Sequence, residues 1–259
     1  MLKYCSLYSG SSGNSFLIQS DHTNILIDAG VSSKKIVSVL SKLKIDIQKI
    51  NAILVTHEHS DHTKGLAMLS NKYGIPIYIN KKTWAALDNV SNKIPIQNIN
   101  FFNMLEYFEI EDFKIFPFPI PHDAADPCGF NIFYDNKKIS IATDIGHVSE
   151  NLLKHLKNST SIFLEANYDP EILKYSSYPY LLKKRISGND GHLSNEMAGK
   201  TIYNLYNSGL RNAILIHLSK ENNFPELAYK TVYNEIASCK GFSLDVAPRD
   251  NPSKMFEVS

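Results

Sequence analysis

The sequence predicts an α/β protein in which sheets are covered by helices, and two observations carry that expectation. Short apolar runs bounded by turn formers recur along the chain, at 52–55, 75–79, 139–142, 162–164 and 213–216. Stretches of helical period stand between them, so strand and helix alternate in both halves, as layered folds require. Composition bounds the class further: 259 residues, 43% hydrophobic and 20% charged, make a folded chain long enough to bury a sizeable core.

Element by element, the start reads as strands at 4–8, 16–19 and 25–28, separated by the turn-forming segments SGSSGN and DHTN. A helical pattern covers 33–43. The run AILV at 52–55 reads as a buried strand that leads straight into Thr56–His62, then into a helix ending near Tyr73-Gly74, with a strand at 75–79 beyond it. Alternating apolar and polar residues at 99–118 predict a meander. Segments 131–134 and 139–142 predict a hairpin around DNKK, and helices are predicted near 149–156, 194–207 and 225–238. The expected organisation is a single domain over 1–259 built of two similar halves, with their boundary near 120–130.

Bulk properties exclude several classes. A formal charge of only +1 gives no global attraction to nucleic acid, so any such binding must come from local patches. Cys5, Cys128 and Cys239 are distant and odd in number, which argues against a disulfide framework or a thiolate metal cage and fits a reducing compartment. The first ten residues show no apolar signal-peptide core, and no run of about 18 apolar residues predicts a membrane span.

The most specific signal is His57-Glu58-His59-Ser60-Asp61-His62, or HxHxDH, between a buried strand and a helix. Imidazole nitrogens and carboxylate oxygens are the usual ligands of Zn²⁺ and similar divalent ions. In an extended turn residues two apart point to one focus, so His57 and His59 can chelate one ion while Asp61 and His62 turn toward a second. The plainer reading is a polar loop with Asp61 capping the helix; Asp61 can cap and ligate at once. Further ligands must come from strand ends, where His122 follows FPIP, Asp144 follows SIAT and His217 follows AILI. Asp144 is the natural bridge, having two oxygens to share.

In the order HxHxDH, His, Asp, His, the chain resembles the metallo-β-lactamase superfamily. The resemblance spans essentially the whole chain and implies a four-layer αβ/βα sandwich with two metals at one edge of the sheets. SLYSGSSGNSFLI, EANYD at 165–169, GHLSN at 191–195 and HLSKENN at 217–223 resemble the YycJ/WalJ-type branch. Its members are bacterial, cytoplasmic 5′→3′ DNA exonucleases. Glu165-Ala166, Gly191-His192-Leu193-Ser194 and His217-Leu218-Ser219 are also similar to ribonuclease Z and related nucleases, in which a glutamate orients a histidine near the leaving group.

The resemblance implies a phosphodiesterase acting on single-stranded DNA through a dimetal-bound hydroxide, with two Zn²⁺ or Mn²⁺ ions and Fe²⁺ also suited to the ligands. Asp61 is then the proton acceptor, His192 the general acid and Glu165 its orienting partner. Candidate substrate contacts are Ser11, Ser12 and Asn14 in a small-residue loop, Asn167, and Ser219 and Asn222 beside His217. The densest basic cluster, Lys183-Lys184-Arg185, follows Tyr175, Tyr178 and Tyr180, a pairing of cations and aromatics that suits a single strand. No membrane partner is expected, and the oligomeric state is not readable. Rival readings are a glyoxalase II-like thioesterase, a cyclic phosphodiesterase, an RNA-processing nuclease, or a metal-stabilised nucleic-acid-binding module without activity. His22 and His155 read as surface residues; His147 reads as an exposed turn residue or a donor behind the metal ligands.

Overall fold

The computed structural model describes residues 1–258. In chain order the strands are β1 Leu2–Tyr8, β2 Ser15–Gln19, β3 Asn24–Ile27, β4 Ala52–Leu54, β5 Ile77–Ile79, β6 Ile99–Phe101, β7 Phe108–Ile110, β8 Phe113–Pro119, β9 Cys128–Tyr134, β10 Lys137–Ala142, β11 Ser161–Glu165, β12 Asn212–Ile216, β13 Ser243–Val246 and β14 Phe256–Val258. The α-helices are α1 Ser33–Lys42, α2 Ser60–Thr63, α3 Leu66–Tyr73, α4 Lys81–Ala85, α5 Glu150–Leu156, α6 Pro170–Tyr175, α7 Tyr180–Ile186, α8 Asn195–Tyr206 and α9 Pro225–Glu235. The strands form two seven-stranded sheets, ordered β14-β1-β2-β3-β4-β5-β6 and β13-β12-β11-β10-β9-β8-β7. Two mixed sheets accompanied by helices fit the expected αβ/βα class.

The described residues divide into two compact units, one of residues 1–117, 124–128 and 248–258 and one of residues 118–123 and 129–247. In the first, β1, β2 and β3 pair antiparallel and β3, β4, β5 and β6 pair parallel. Its core lies between the sheet and α1 and α3. Ile36, Val39 and Leu40 of α1 pack with Leu66 and Leu69 of α3 against Leu26, Ile53 and Ile77. Each such side chain taken out of water contributes roughly 1.5–3 kcal/mol. Helix α1 is predicted by that spacing and started by Ser32, whose hydroxyl accepts from Lys35 N–H.

In the second unit β9 and β10 form the predicted hairpin, with Asp135 at φ 51° in its turn. Lys137 and Lys138, expected in that turn, already belong to β10. From β10 onward β11, β12 and β13 pair parallel. Each sheet therefore changes from antiparallel to parallel pairing at one strand, β3 or β10. Each of those strands leads to an aspartate with left-handed backbone, Asp28 at φ 62° and Asp144 at φ 59°.

Three local expectations are corrected. The helix after HxHxDH is two helices, broken at Gly65, whose N–H donates to Ala29 O at 2.7 Å; α3 does end at Tyr73, with Gly74 in the left-handed region at φ 71°. The stretch 99–118 is not one meander: β6 joins the first sheet in parallel, and only β7 and β8 form a hairpin. Asp61 is not the helix cap, because His59 holds the N-cap position of α2 and no side chain caps it.

Candidate metal centre

The first ligand group grows out of the end of β4. Thr56, His57 and His62 are fully buried there, and their hydrogen bonds settle which ring nitrogen each histidine keeps. Asp28 accepts from Thr56 N–H (2.9 Å) and Thr56 Oγ1–H (2.8 Å), and from His62 Nδ1–H at 2.7 Å. The Thr56 hydroxyl has given its one hydrogen to Asp28, so at His57 Nδ1, 3.0 Å away, it accepts. Both rings thus carry their hydrogen on Nδ1 and turn the basic Nε2 outward. The ring of His57 lies 4.7 Å from that of His59 and 4.1 Å from that of His62. Burial raises the Asp28 carboxyl above its ordinary range, outweighing the His62 charge and the Thr56 hydrogen bonds.

Asp61 is placed by backbone. Its carbonyl accepts from Asn14 N–H at 2.8 Å, and a Cβ at position 30 would stand 1.6 Å from the same oxygen, so only Gly30 allows the approach. The Asn14 amide bonds Gly10 N–H (2.9 Å), Asp61 Oδ2 (3.4 Å) and His62 Nε2 (3.1 Å). Asn14 is fully buried, which makes it a holder of Asp61 and His62. Ser11 and Ser12 are exposed at the tip of the same loop.

The second group is built around one carboxylate. Glu165, fully buried at the end of β11, accepts through Oε1 from His192 Nδ1 (2.8 Å) and His217 Nδ1 (2.9 Å). Its Oε2 accepts from Ile145 N–H (2.6 Å) and Leu193 N–H (3.1 Å). Asp144 Oδ1 lies 3.1 Å from His217 Nδ1 and 3.7 Å from His122 Nε2, and its Oδ2 accepts from Thr143 Oγ1 at 2.7 Å. His122 Nδ1–H donates to Gly191 O at 3.1 Å, which again leaves Nε2 basic. Asp144, Glu165, His192 and His217 each bring a ligand-type atom within 4.8 Å of the others.

Burial works against charge throughout this group. It holds His122 below the ordinary imidazole value although Asp144 pulls the other way. It acts to raise Glu165, but the His192 charge and the bonds from His192 and His217 win and keep the carboxyl low. It acts to lower His192, but the Glu165 charge and hydrogen bond win and hold that imidazole above its usual value. His217 sits at φ 58°, a backbone geometry uncommon for a non-glycine residue. Asn167 steadies it by donating Nδ2–H to His217 O at 2.8 Å.

These donors fit a divalent cation. They are imidazole nitrogens and carboxylate oxygens, and the second nitrogens of His57, His62, His122 and His217 are tied to a hydroxyl, a carboxylate or a carbonyl, as metal-ligating histidines require. A family profile described as a Beta-lactamase superfamily domain matches residues 23–218. The chain belongs to the metallo-β-lactamase superfamily. Within that superfamily it is 40% identical over 237 residues to exodeoxyribonuclease WalJ of Streptococcus pneumoniae, covering 91% of this chain and 88% of the relative. It is 35% identical over 246 residues to exodeoxyribonuclease YycJ of Bacillus anthracis, covering 95% and 93%. These relatives place it in the YycJ/WalJ-type branch. The fold is that of the metallo-β-lactamase fold protein YhfI from Bacillus subtilis, with TM-score 0.75 at 15% identity, covering 99% of this chain and all of the other.

Other expected positions fall at varying depth. Asn167 is buried, as are Ser219 and Asn222, where Ser219 Oγ accepts from Asn222 N–H at 3.2 Å. Lys184 is exposed, and Lys183 Nζ donates to Lys174 O at 2.7 Å. His147 is exposed and donates Nδ1–H to Asn189 O at 2.9 Å. His22 is exposed as expected, whereas His155 is half-buried and stacks on Phe118 at 5.6 Å. Asp28 is the residue that sequence reasoning missed. Its signal was present, since NILI is an apolar run ending in one ionisable residue, the pattern that also marks Asp144 and His217.

Proposed function

We propose that the protein is a metal-dependent exonuclease that degrades single-stranded DNA from its 5′ end. His57, His59, Asp61, His62, His122, Asp144 and His217 would hold two divalent ions, Zn²⁺ or Mn²⁺, with Fe²⁺ also accommodated by such ligands. When bound, such a metal pair supplies Lewis-acid polarisation of a phosphodiester and a water acidic enough to attack at neutral pH. The exodeoxyribonuclease activity for which the WalJ and YycJ relatives are named supports the DNA substrate.

The observation that carries the reading is the Glu165–His192 pair. His192 donates Nδ1–H to Glu165, so its Nε2 edge faces away from the carboxylate. Its side chain is 18% exposed, while those of Asp144, Glu165 and His217 are at most 2% exposed. A proton donor must meet substrate, and His192 is the member of this group exposed enough to do so. Burial acts to lower the pKa of its imidazole, but the Glu165 charge and hydrogen bond hold it above the ordinary value, and it delivers the proton to the departing oxygen from Nε2. Asp61 accepts the proton released by the attacking water. Asn14 holds Asp61 for that task, and Ser11, Ser12, Asn167, Ser219 and Asn222 shape the surroundings of the phosphate. Three buried, unpaired cysteines fit action in the reducing cytoplasm. No helix among the described residues is long and apolar enough to cross a membrane.

The test is a time course with metal-replete protein on 5′-phosphorylated and 5′-hydroxyl single strands of DNA and RNA, a DNA duplex and a thioester. Mononucleotides appearing from the 5′ end of single-stranded DNA are expected. Hydrolysis of the thioester alone, or cleavage of RNA alone, contradicts the proposal.

A further inference from the structure

Helices α6 and α7 stand over a small cluster of their own. Tyr168, Leu173 and Ile186 are buried there, with Tyr178 and Leu182 packed against them. On the outer surface Tyr175, Tyr180 and Leu181 are each 76% exposed, an unusual density of bare aromatic and apolar side chains. A cleft of about 580 Å³ opens beside them, lined by Lys174, Tyr178, Tyr180, Lys183, Lys184 and Ser187. Three ammonium groups and two phenol rings line it, and no carboxylate does. Glu171 meets Lys174 outside the lining at 3.6 Å, and Arg185 turns away to Asp123 at 2.5 Å.

The cleft is joined to His192 by a braced loop. His192 N–H donates to Ile186 O, in the last turn of α7, at 2.8 Å. A Cβ at Gly191 would lie 2.2 Å from Arg185 O and 2.3 Å from Ile186 O, so the loop closes onto the helix only with glycine there. Three consecutive carbonyls of the loop are held from outside it: Asn189 O by His147 Nδ1–H, Asp190 O by Asp123 N–H at 3.0 Å, and Gly191 O by His122 Nδ1–H. A strand lying on α7 is therefore one short, fixed loop from the imidazole that protonates the leaving group.

We infer that this cleft binds single-stranded nucleic acid, with bases against the tyrosine rings and phosphates on the lysines, and guides the strand to His192. The inference rests on the nuclease reading above. Charge and ring chemistry select the occupant. Lys174 is paired with Glu171, but Lys183 and Lys184 meet no carboxylate among the described residues, and amines so placed attract phosphates, while the exposed face of Tyr180 accepts an unpaired base. A duplex keeps its bases stacked inside and leaves the tyrosines unused. A second copy of this chain would bring the same lysines face to face. His147 gains a role in the process, as a positioning residue for the loop that carries His192.

The experiment measures affinity for a fluorescent oligothymidylate and for a blunt duplex across a salt series, using the full metal-loaded chain. The variants are Lys183→Ala/Lys184→Ala, Lys183→Arg/Lys184→Arg and Tyr180→Ala. Sedimentation of each variant and digestion of the strand by the wild type run alongside. Removing both lysines is expected to flatten the slope of log affinity against log salt by about 1.4, at about 0.7 per phosphate contact on a single strand. The arginine pair is expected to keep the slope. Tyr180→Ala is expected to weaken strand binding about tenfold with little change for the duplex. Unchanged slope and affinity in all variants, no strand binding by the wild type, or conversion of a dimer to a monomer by Tyr180→Ala each overturns the inference. If the wild type digests the strand while the variants bind unchanged, the cleft fails and the nuclease reading stands. Strand binding without digestion has the opposite meaning.

Discussion

Two buried carboxylates organise the site at the residue scale. Asp28 fixes the tautomer of His62 and, through the Thr56 hydroxyl, that of His57; Glu165 fixes His192 and His217 together. Asp28→Asn is expected to lower metal affinity about 10- to 100-fold, the usual cost of losing a partner behind a ligating histidine, as read by chelator competition. Wild-type affinity in that variant would remove Asp28 from the account. His192→Ala is expected to keep the full metal complement and lose most of its turnover, and loss of metal instead would make His192 a ligand. The pH dependence has a definite sign. Burial tends to deprotonate His192, and the Glu165 charge more than offsets it, so the donor stays protonated above the ordinary imidazole value. Turnover should fall on the alkaline side as His192 loses that proton. In Glu165→Gln the alkaline limb should move to lower pH, and superimposable limbs would show that Glu165 does not tune His192. The sequence announced His57 and His62 through the HxHxDH run and His217 as a lone ionisable residue after an apolar strand, while Glu165 and His192 came with the resemblance to ribonuclease Z. The second duty of Glu165, holding His217, was not legible, since a shared acceptor depends on two strand ends and the loop before α8 meeting.

At the scale of elements, strongly periodic segments were read closely and weakly periodic ones were not. Helix α1 shows why: Ile36, Val39 and Leu40 trace one face, with a serine cap before them. Helices α6 and α7 escaped because each is under two turns long, too short to show a helical period, and three buried residues hold them in place. β13 and β14 escaped because sheet-edge strands are only partly buried and lack clean alternation. Helix α8 offers two tests. Ser194 caps it by accepting from Met197 N–H, so Ser194→Ala should cost about 1 kcal/mol of stability in a denaturant titration. Gly199 faces α9, where an added Cβ would sit 2.7 Å from Glu235 Cγ. Overpacking there should make Gly199→Val less stable by roughly 1–3 kcal/mol, although glycine is itself a poor helix former. A Gly199→Val variant as stable as the wild type would mean that α8 and α9 give way freely.

For the whole molecule, the two sheets repeat one arrangement. The strand where antiparallel pairing gives way to parallel pairing leads in each to a left-handed aspartate, Asp28 in one and Asp144 in the other. Asp28 steadies His62 and, through Thr56, His57, which are proposed ligands, and Asp144 is proposed as a ligand itself, so similar strand ends carry different tasks. The proposed chemistry needs both sets of side chains to serve the same pair of ions. The most direct measurement is elemental analysis of the purified chain, with activity on a 5′-phosphorylated single strand followed as metal is returned to chelator-stripped protein. Two ions per chain are expected, with activity rising to its plateau at the second equivalent. A plateau at one equivalent, or full activity in stripped protein, would contradict the account.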